Sequence, residues 1–337
     1  MRTATARAPT NIALVKYFGK RDRALNLPAS PSVSVTLSGL RTTTTVRFDD
    51  ALRADRFVLD GRDCAPDALA RVGRFLDLVR EAAGTSSRAL VESRNTFPTA
   101  AGLASSASGF AALALAATHA AGLRPDFATL ATLARRGSGS APRSLLGGFV
   151  EMPIGTRADG SDCVPRQVAP EDHWDLSLVV AVVEMSAPKA VGSTEGMERV
   201  RTTSPFYEPF IRGNFALCEE ARTAILARDI EALGRVAEAS CFRMHAAALA
   251  ADPPILYWND ATVRVLQRIS ALRAQGLSVF VTMDAGPHPV ALCSRLDSDA
   301  VAQELARVAG VREVRIEAPG PGASLLEAGE TGAMEAQ

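Results

Sequence analysis

The sequence predicts an α+β chain built in two parts. Strand-like and helix-like stretches are mixed without regular βα alternation, and one stretch, Pro153 to Asp175, is rich in Gly, Pro, Asp and Ser, as a long surface connection would be. A length of 337 residues, 47% of them hydrophobic, can bury a substantial core and suggests about two domains. The break in composition places the first over residues 1–175 and the second over residues 176–330.

In the first part, Thr3 to Val15, Ser32 to Leu37 and Arg41 to Phe48 have strand character, the last through the β-branched run Thr42 to Val46. Ala89 to Glu92 and Gly147 to Glu151 are shorter strand candidates. Pro66 to Ala83 and Phe127 to Arg136 read as helices on either side of the apolar, alanine-rich segment Phe110 to Ala121. The second part opens with a buried strand, Leu176 to Val183, followed by helical patterns over Pro209 to Arg228, Ile230 to Leu249 and Ala261 to Gln275. Ser278 to Met283, Val290 to Ser294 and Arg312 to Ile316 supply its remaining strands.

Charge and cysteine usage narrow the function class. Lys plus Arg (37) balances Asp plus Glu (37), so no global field draws the chain to nucleic acid or to an anionic membrane, and any anion site must be built locally. The five cysteines are scattered without a CxxC pair, which argues against a zinc site or a disulfide framework and fits a reducing cytoplasm. No apolar run approaches the roughly 20 residues of a membrane span, and Met1 to Ala8 lacks the apolar core of a signal peptide. The expectation is a cytoplasmic protein with neither nucleic-acid nor membrane partners.

Four clusters carry chemistry. Asn95 to Gly109 is a small-residue loop running into the alanine-rich helix, where Gly102 and the small residues around it let backbone N–H groups approach an anion and Ser105 and Ser106 add hydroxyls. A capped helix on a core is the simpler use of such a turn. Ala8 to Asp22 sets Lys16, Tyr17 and Lys20 at the end of a strand, where lysines could neutralise phosphate or could line a solvated turn. Arg135 to Ser144 alternates Ser138, Gly139 and Ser140 and adds Arg143, a planar fork suited to carboxylate or phosphate. Val279 to His288 drops Asp284 after an apolar strand and before a glycine turn.

Together these clusters closely resemble the diphosphomevalonate decarboxylases of the GHMP kinase superfamily, in order and spacing along nearly the whole chain. Leu25-Asn-Leu-Pro28, Ser193-Thr-Glu-Gly-Met197 and Asp252 to Asp260 echo the same family. The resemblance implies a GHMP kinase fold, with an N-terminal half like domain 2 of ribosomal protein S5 and a ferredoxin-like C-terminal half, assembled as a homodimer. It implies ATP and Mg2+ as cofactors, and mevalonate 5-diphosphate as a substrate that is phosphorylated on its 3-hydroxyl and then decarboxylated to isopentenyl diphosphate.

The resemblance also assigns roles. Asp284 would orient the hydroxyl and accept its proton, Lys16 would fix Asp284, and Arg143 would face the substrate carboxylate. Gly102, Leu103, Ala104, Ser105 and Ser106 would hold the nucleotide phosphates, Ser105 also serving magnesium. Tyr17, Lys20, Ser138, Gly139, Ser140 and Ser193 would hold the substrate, with an arginine of the Arg71 to Arg74 helix as a further contact. A kinase that stops at the 3-phosphate would share the ATP loop and Asp284, but would not need Arg143.

Several positions depart from the family pattern. Phe18 replaces a tryptophan, Ala29-Ser-Pro-Ser32 stands where Asn-Ser-Ser is usual, Pro142 replaces a cysteine, Gly192 a serine and His288 an asparagine. Fewer amide and hydroxyl donors keep mevalonate 5-phosphate open as the substrate. A histidine at 288, so near Asp284, would make the rate pH-sensitive near neutrality if it met the phosphates. His119 and His173 read as surface or core histidines, and His245 as a packed helix residue with a smaller claim on the substrate.

Overall fold

Two long strands at the start of the chain define the larger of two principal sheets. The computed structural model describes residues 2–97, 105–185 and 191–327. Strand β1 (Arg2–Val15) is followed by the short pair β2 (Lys20–Asp22) and β3 (Leu27–Pro28), then by β4 (Ser32–Asp49), β5 (Arg56–Leu59) and β6 (Arg62–Asp63). Helix α1 (Pro66–Ala83), β7 (Arg88–Asn95), α2 (Ser105–Ala120), α3 (Phe127–Gly137), β8 (Phe149–Met152) and β9 (Arg166–Ala169) follow. The second half runs β10 (Leu176–Val183), α4 (Ser193–Thr203), α5 (Tyr207–Ala227), α6 (Ile230–Leu249), α7 (Asp260–Ala274), β11 (Phe280–Thr282), β12 (Val290–Ser294), α8 (Ser298–Ala306), β13 (Val311–Glu317) and β14 (Ser324–Leu326). None of the helices among the described residues is long and apolar enough to cross a membrane.

The larger sheet follows the order β14-β1-β4-β7-β5-β6, with β8 also on β4 and β9 on β8. The sequence suggests two strands where β4 is continuous. Its first residues pair with β8 and its last with β7, and the exchange of neighbours falls around Gly39. There the backbone stays extended because the Glu317 carboxylate accepts the Gly39 N–H at 2.5 Å and Ser38 donates its N–H to the Ala318 carbonyl at 3.0 Å. A Cβ at position 39 would lie 2.6 Å from Glu317 Oε1, so a larger residue would push this carboxylate off the Gly39 N–H. The stretch from Pro153 to Asp175 is also more ordered than its composition suggests. Asp162 accepts from Thr156 and Arg157, and β9 pairs with β8 under an Arg166–Glu151 ion pair of 3.0 Å.

Helices α1, α2 and α3 cover one face of this sheet. Ala111, Ala112, Ala114, Ala116 and Ala117 of α2 are fully buried, and their small side chains let the helix backbone lie close against β1 and β4. The smaller sheet is antiparallel in the order β11-β12-β10-β13. Strand β10 is buried along its whole length, as its unbroken apolar run requires. Its residues 179, 181 and 183 meet α7 and α8, while 176, 178, 180 and 182 enter a core shared with β1, β4, α5 and α6. That shared core joins the two halves. Helices α4 and α8 escape sequence reading because they are short and, in α4, mostly polar.

His288 belongs to this packing. Its Nδ1 accepts the Val183 N–H at 3.1 Å, which ties the loop after β11 to the end of β10, and burial pushes its pKa down to about 4. In the unfolded chain the same group titrates near 6.5. Between those values the unfolded state binds more protons, so stability falls as pH falls through that window, by up to about 3 kcal/mol. His288→Asn keeps an acceptor for Val183 and should lose this sensitivity. Urea unfolding at pH 7 and pH 4.5 should show a smaller difference in the variant by about 2 kcal/mol, and equal pH dependence in the two proteins would contradict the assignment.

Candidate active site

A cleft of about 1460 Å³ opens where the end of β1, the loop after β11 and the starts of α2 and α4 converge. Eight cationic side chains line it, Lys16, Lys20, Arg23, Arg71, Arg74, Arg136, Arg143 and Arg199, against four carboxylates, Asp67, Glu195, Glu198 and Asp284. The chain as a whole is neutral. Positive charge is thus gathered into one concavity, where low-dielectric walls focus it. Ser105 and Ser106 at the start of α2, and Gly192 to Glu195 at the start of α4, also face the cleft. The first turns of both helices carry N–H groups without helical partners, so each adds partial positive charge.

The floor is an ion pair. Lys16 Nζ lies 2.8 Å from Asp284 Oδ1, with Lys16 1% and Asp284 25% exposed. The lysine also donates to the Ala13 carbonyl at 2.7 Å. An ammonium this buried is tolerated only when paired and hydrogen-bonded, and removing one partner of such a pair costs about 3–5 kcal/mol.

Arg143 sits beside the pair on a short 3₁₀ turn, Ala141–Leu145, and is 2% exposed. Its Nε donates to Ser34 Oγ at 3.1 Å and Asn11 Oδ1 at 3.3 Å, and its Nη1 to Ser32 Oγ at 2.9 Å. Asn11 is oriented in turn by donating to Ser144 Oγ at 2.8 Å. Burial pulls the guanidinium pKa down, and the Asp284 charge opposes this. The Tyr17 ring lies 5.9 Å from the guanidinium, and burial pushes the Tyr17 phenol pKa well up, so it serves as a neutral hydroxyl.

The sequence-derived site residues are brought together. Lys16, Tyr17, Lys20, Ser105, Ser106, Ser138, Gly139, Ser140, Arg143, Ser193 and Asp284 all line the one cleft, while Gly102, Leu103 and Ala104 lie outside the described residues. Ser138 Oγ stands 3.3 Å from both Ser106 Oγ and Ser140 Oγ, which links the start of α2 to the loop after α3 through hydroxyls. Burial, then the charges of Arg71 and Arg23, lower the Lys20 pKa to about 8. Arg71 and Arg74 both reach the cleft, and Arg71 donates to the Gly137 carbonyl at 3.0 Å while stacking on Phe110. The described residues contain no group of three or more His, Cys, Asp or Glu side chains placed to hold a metal.

The departures from the family pattern fall mostly behind the cleft surface. Ser30 and Ser32 are buried and serve Asn214 and Arg143, so the altered turn holds the site's framework rather than facing substrate. Phe18 packs edge-on against Tyr257 at 6.3 Å, and Pro142 is buried in the turn that carries Arg143. Phe18 also borders the cleft, and Gly192 faces it as the N-cap of α4, where a Cβ would meet open space. His288 is not among the lining residues, and its neutrality down to about pH 4 removes the expected sensitivity near pH 7. His245 is packed against Trp258, whose indole donates to its Nδ1 at 3.0 Å, while His119 and His173 hydrogen-bond backbone carbonyls.

Sequence reasoning missed Asn11, Ser34, Asn214 and Ser240 as parts of the site, and read the turn ending at Ser32 for its bearing on the substrate rather than as a holder of Arg143. Single polar residues inside apolar segments are the only trace they leave, and that pattern does not say what they touch.

The N-terminal stretch, residues 8–165, matches the family model for the diphosphomevalonate decarboxylase-like N-terminal domain, and residues 178–319 match that for the mevalonate 5-diphosphate decarboxylase C-terminal domain. A diphosphomevalonate decarboxylase of Ganoderma lucidum is 39% identical over 312 residues, covering 85% of this chain and 77% of the relative. The fold matches the mevalonate diphosphate decarboxylase of Staphylococcus aureus with a TM-score of 0.91 at 36% identity, covering 97% of this chain and 98% of that one. A solved structure described as MDDEF in complex with MVAPP, AMPPCP and magnesium matches equally, with a TM-score of 0.91, 36% identity and coverage of 97% and 99%. The α+β fold is therefore the GHMP kinase fold that the sequence motifs imply.

Gly139 offers a direct test of the site's packing. A Cβ there would lie 2.1 Å from Tyr17 Oη and 2.6 Å from Tyr17 Cζ. Gly139→Ala should displace the tyrosine and destabilise the protein by about 1–3 kcal/mol, read as a lower denaturant midpoint with unchanged slope. An unchanged midpoint would contradict the close approach.

Proposed function

The chain belongs to the diphosphomevalonate decarboxylase family, and we propose that it carries out the ATP-dependent decarboxylation of mevalonate 5-diphosphate to isopentenyl diphosphate through a transient 3-phosphate. The observation that carries this reading is the Lys16–Asp284 ion pair beside Arg143 in a cleft of net positive charge. A trianionic diphosphate, a nucleotide triphosphate and a carboxylate require such a field, and the reaction requires a base and a carboxylate partner within it.

Asp284 is the group that orients the 3-hydroxyl and accepts its proton. A carboxylate is a weak base for a tertiary alcohol, so the proton moves as the new bond to phosphorus forms rather than before. Lys16 holds the carboxylate in one orientation, which raises the fraction of bound substrate in reactive alignment. Arg143 binds the substrate carboxylate. Its Nε and Nη1 are engaged by Asn11, Ser32 and Ser34, and among the described residues its Nη2 takes no partner. Because the carboxylate charge disappears as carbon dioxide leaves, an interaction that only attracted that charge would favour the ground state. Arg143 therefore acts chiefly by fixing the scissile bond relative to the departing 3-phosphate, whose loss draws the electrons of that bond.

The residues fit the expected nucleotide and ion. Ser105, Ser106 and the first turn of α2 offer hydroxyl and N–H donors to phosphate, and magnesium commonly takes most of its ligands from water and nucleotide phosphates rather than from a protein cage. ATP with magnesium supplies the phosphoryl group and the charge that steadies its transfer. Ser105 contributes at most one hydroxyl to the ion. Tyr17, Lys20, Ser138, Gly139, Ser140 and Ser193 line the same cleft as Arg71 and Arg74, which supports their holding the substrate diphosphate. Residues 1–175 supply the nucleotide-holding unit, to whose sheet β14 returns, the rest of residues 176–330 supply the unit that delivers Asp284, and the enzyme acts as a cytoplasmic homodimer.

Carbon dioxide release with ATP and magnesium tests the reading. Mevalonate 5-diphosphate should be turned over and mevalonate 5-phosphate should not; preference for the monophosphate would move the enzyme to a different step. Asp284→Asn should lower turnover by about 10²- to 10⁴-fold while affinities for both substrates stay within several-fold of the parent. A collapse of binding instead would remove its role as base. Arg143→Ala should reduce carbon dioxide release at least about ten-fold, and unchanged product formation would sink the carboxylate assignment.

A further inference from the structure

The Lys16–Asp284 pair joins a strand end of one sheet to a strand end of the other, and neither side chain can set their 2.8 Å separation alone. Strand β1 ends at Val15, so the buried Lys16 peptide has left the ladder and needs other partners for its N–H and C=O. Helices α5 and α6 supply them. The Lys16 N–H donates to Ser240 Oγ at 2.9 Å, Ser240 Oγ donates to Asn214 Oδ1 at 3.4 Å, and Asn214 Nδ2 donates to the Lys16 carbonyl at 2.9 Å, which closes a ring.

A second tie reaches Asp284. The β1–β4 register shifts between Ala13 and Val15, and the Ala13 carbonyl accepts from both Lys16 Nζ, at 2.7 Å, and Thr282 Oγ1, at 3.1 Å. Thr282 is the last residue of β11, two positions before Asp284. Asn214, Ser240 and Thr282 are each 0% exposed, and none lines the cleft.

We infer that Ser240, Asn214 and Thr282 are positioning residues: they touch no reactant, and they set the alignment of Lys16 with Asp284 by fixing the two backbones that carry them. The inference rests on the functional reading above for the roles of Lys16 and Asp284. Its physical basis is that buried polar side chains on otherwise apolar faces contribute little to packing, whereas a satisfied, closed hydrogen-bond ring has one geometry. A reacting pair must be held within about 0.5 Å, and that precision comes from the residues supporting it.

Thr282→Val removes the donor with almost no change of shape, Thr282→Ser keeps it, and Ser240→Ala removes the acceptor for the Lys16 N–H. In Thr282→Val and Ser240→Ala, kcat should fall by about ten- to hundred-fold while both KM values stay within about two-fold of the parent, and Thr282→Ser should restore most of the parent rate. Folded variants with parental kcat, or a Thr282→Ser protein as slow as Thr282→Val, would overturn the inference. Hydrogen exchange at the Lys16 amide provides a readout independent of turnover. It should accelerate in Ser240→Ala, and unchanged exchange would break the proposed ring. A parent without carbon dioxide release would count against the functional reading alone, since the amide measurement still judges this one.

Discussion

Everything in the cleft follows from burying one ammonium group. Lys16 is 1% exposed, and a charge so far from water is stable only beside an opposite charge with its remaining donors satisfied. Its partner, Asp284, comes from the other sheet, so the two halves of the chain cannot drift apart without stranding the lysine. The shared core of β1, β4, β10, α5 and α6 supplies the apolar attraction between the halves, and the ion pair supplies the register. Apolar burial is non-directional, so without the polar ties the same core would permit small sliding movements that the chemistry could not tolerate.

Charge is arranged by the same logic across the molecule. Outside the cleft, arginines on the helices are matched locally, as in Arg222–Glu219, Arg235–Glu231 and Arg264–Asp260, all within one helical turn. Such exposed pairs add little stability, but they cancel the long-range field. Inside the cleft the cancellation is incomplete, with cations from α1, α3, the β2–β3 segment and the Arg143 turn facing the same space. A neutral chain can in this way hold a strongly anionic pair of reactants without attracting polyanions over its whole surface.

The main helices and the buried strand β10 were legible from periodicity and from apolar runs, and the four clusters were legible because their glycines, serines and charges sit next to one another in sequence. What could not be read was the support behind them. Asn214 and Ser240 are about 200 residues from Lys16 and gain their role only when α5 and α6 pack against the end of β1. The continuity of β4 was hidden for a similar reason, since Gly39 suggests a turn until Glu317, from the far end of the chain, takes its N–H. His288 misled in the opposite direction: closeness to Asp284 in sequence suggested the cleft, whereas the turn after Asp284 carries it back into the packing beneath Val183.

Three buried arginines show why Arg143 alone among them is fit to bind an anion. Arg80 is bound by two carboxylates, Asp55 and Asp77, so its charge is spent within the protein and its role is structural. Arg135 donates to the carbonyls of Leu25, Gly160 and Cys163, which draws two segments together around it and leaves no face toward the cleft. Arg143 is held by Asn11, Ser32 and Ser34, all neutral, through only part of its fork. Neutral acceptors satisfy N–H groups without cancelling the charge, and a guanidinium stays protonated even when burial lowers its pKa. The cost of desolvating the ion is therefore met during folding, before any substrate arrives, and the oriented charge needs no reorganisation when a carboxylate enters. In the role proposed for Arg143, the same tethers would limit how far the guanidinium follows that carboxylate as it becomes carbon dioxide, so the attraction would weaken along the reaction instead of holding the product in place.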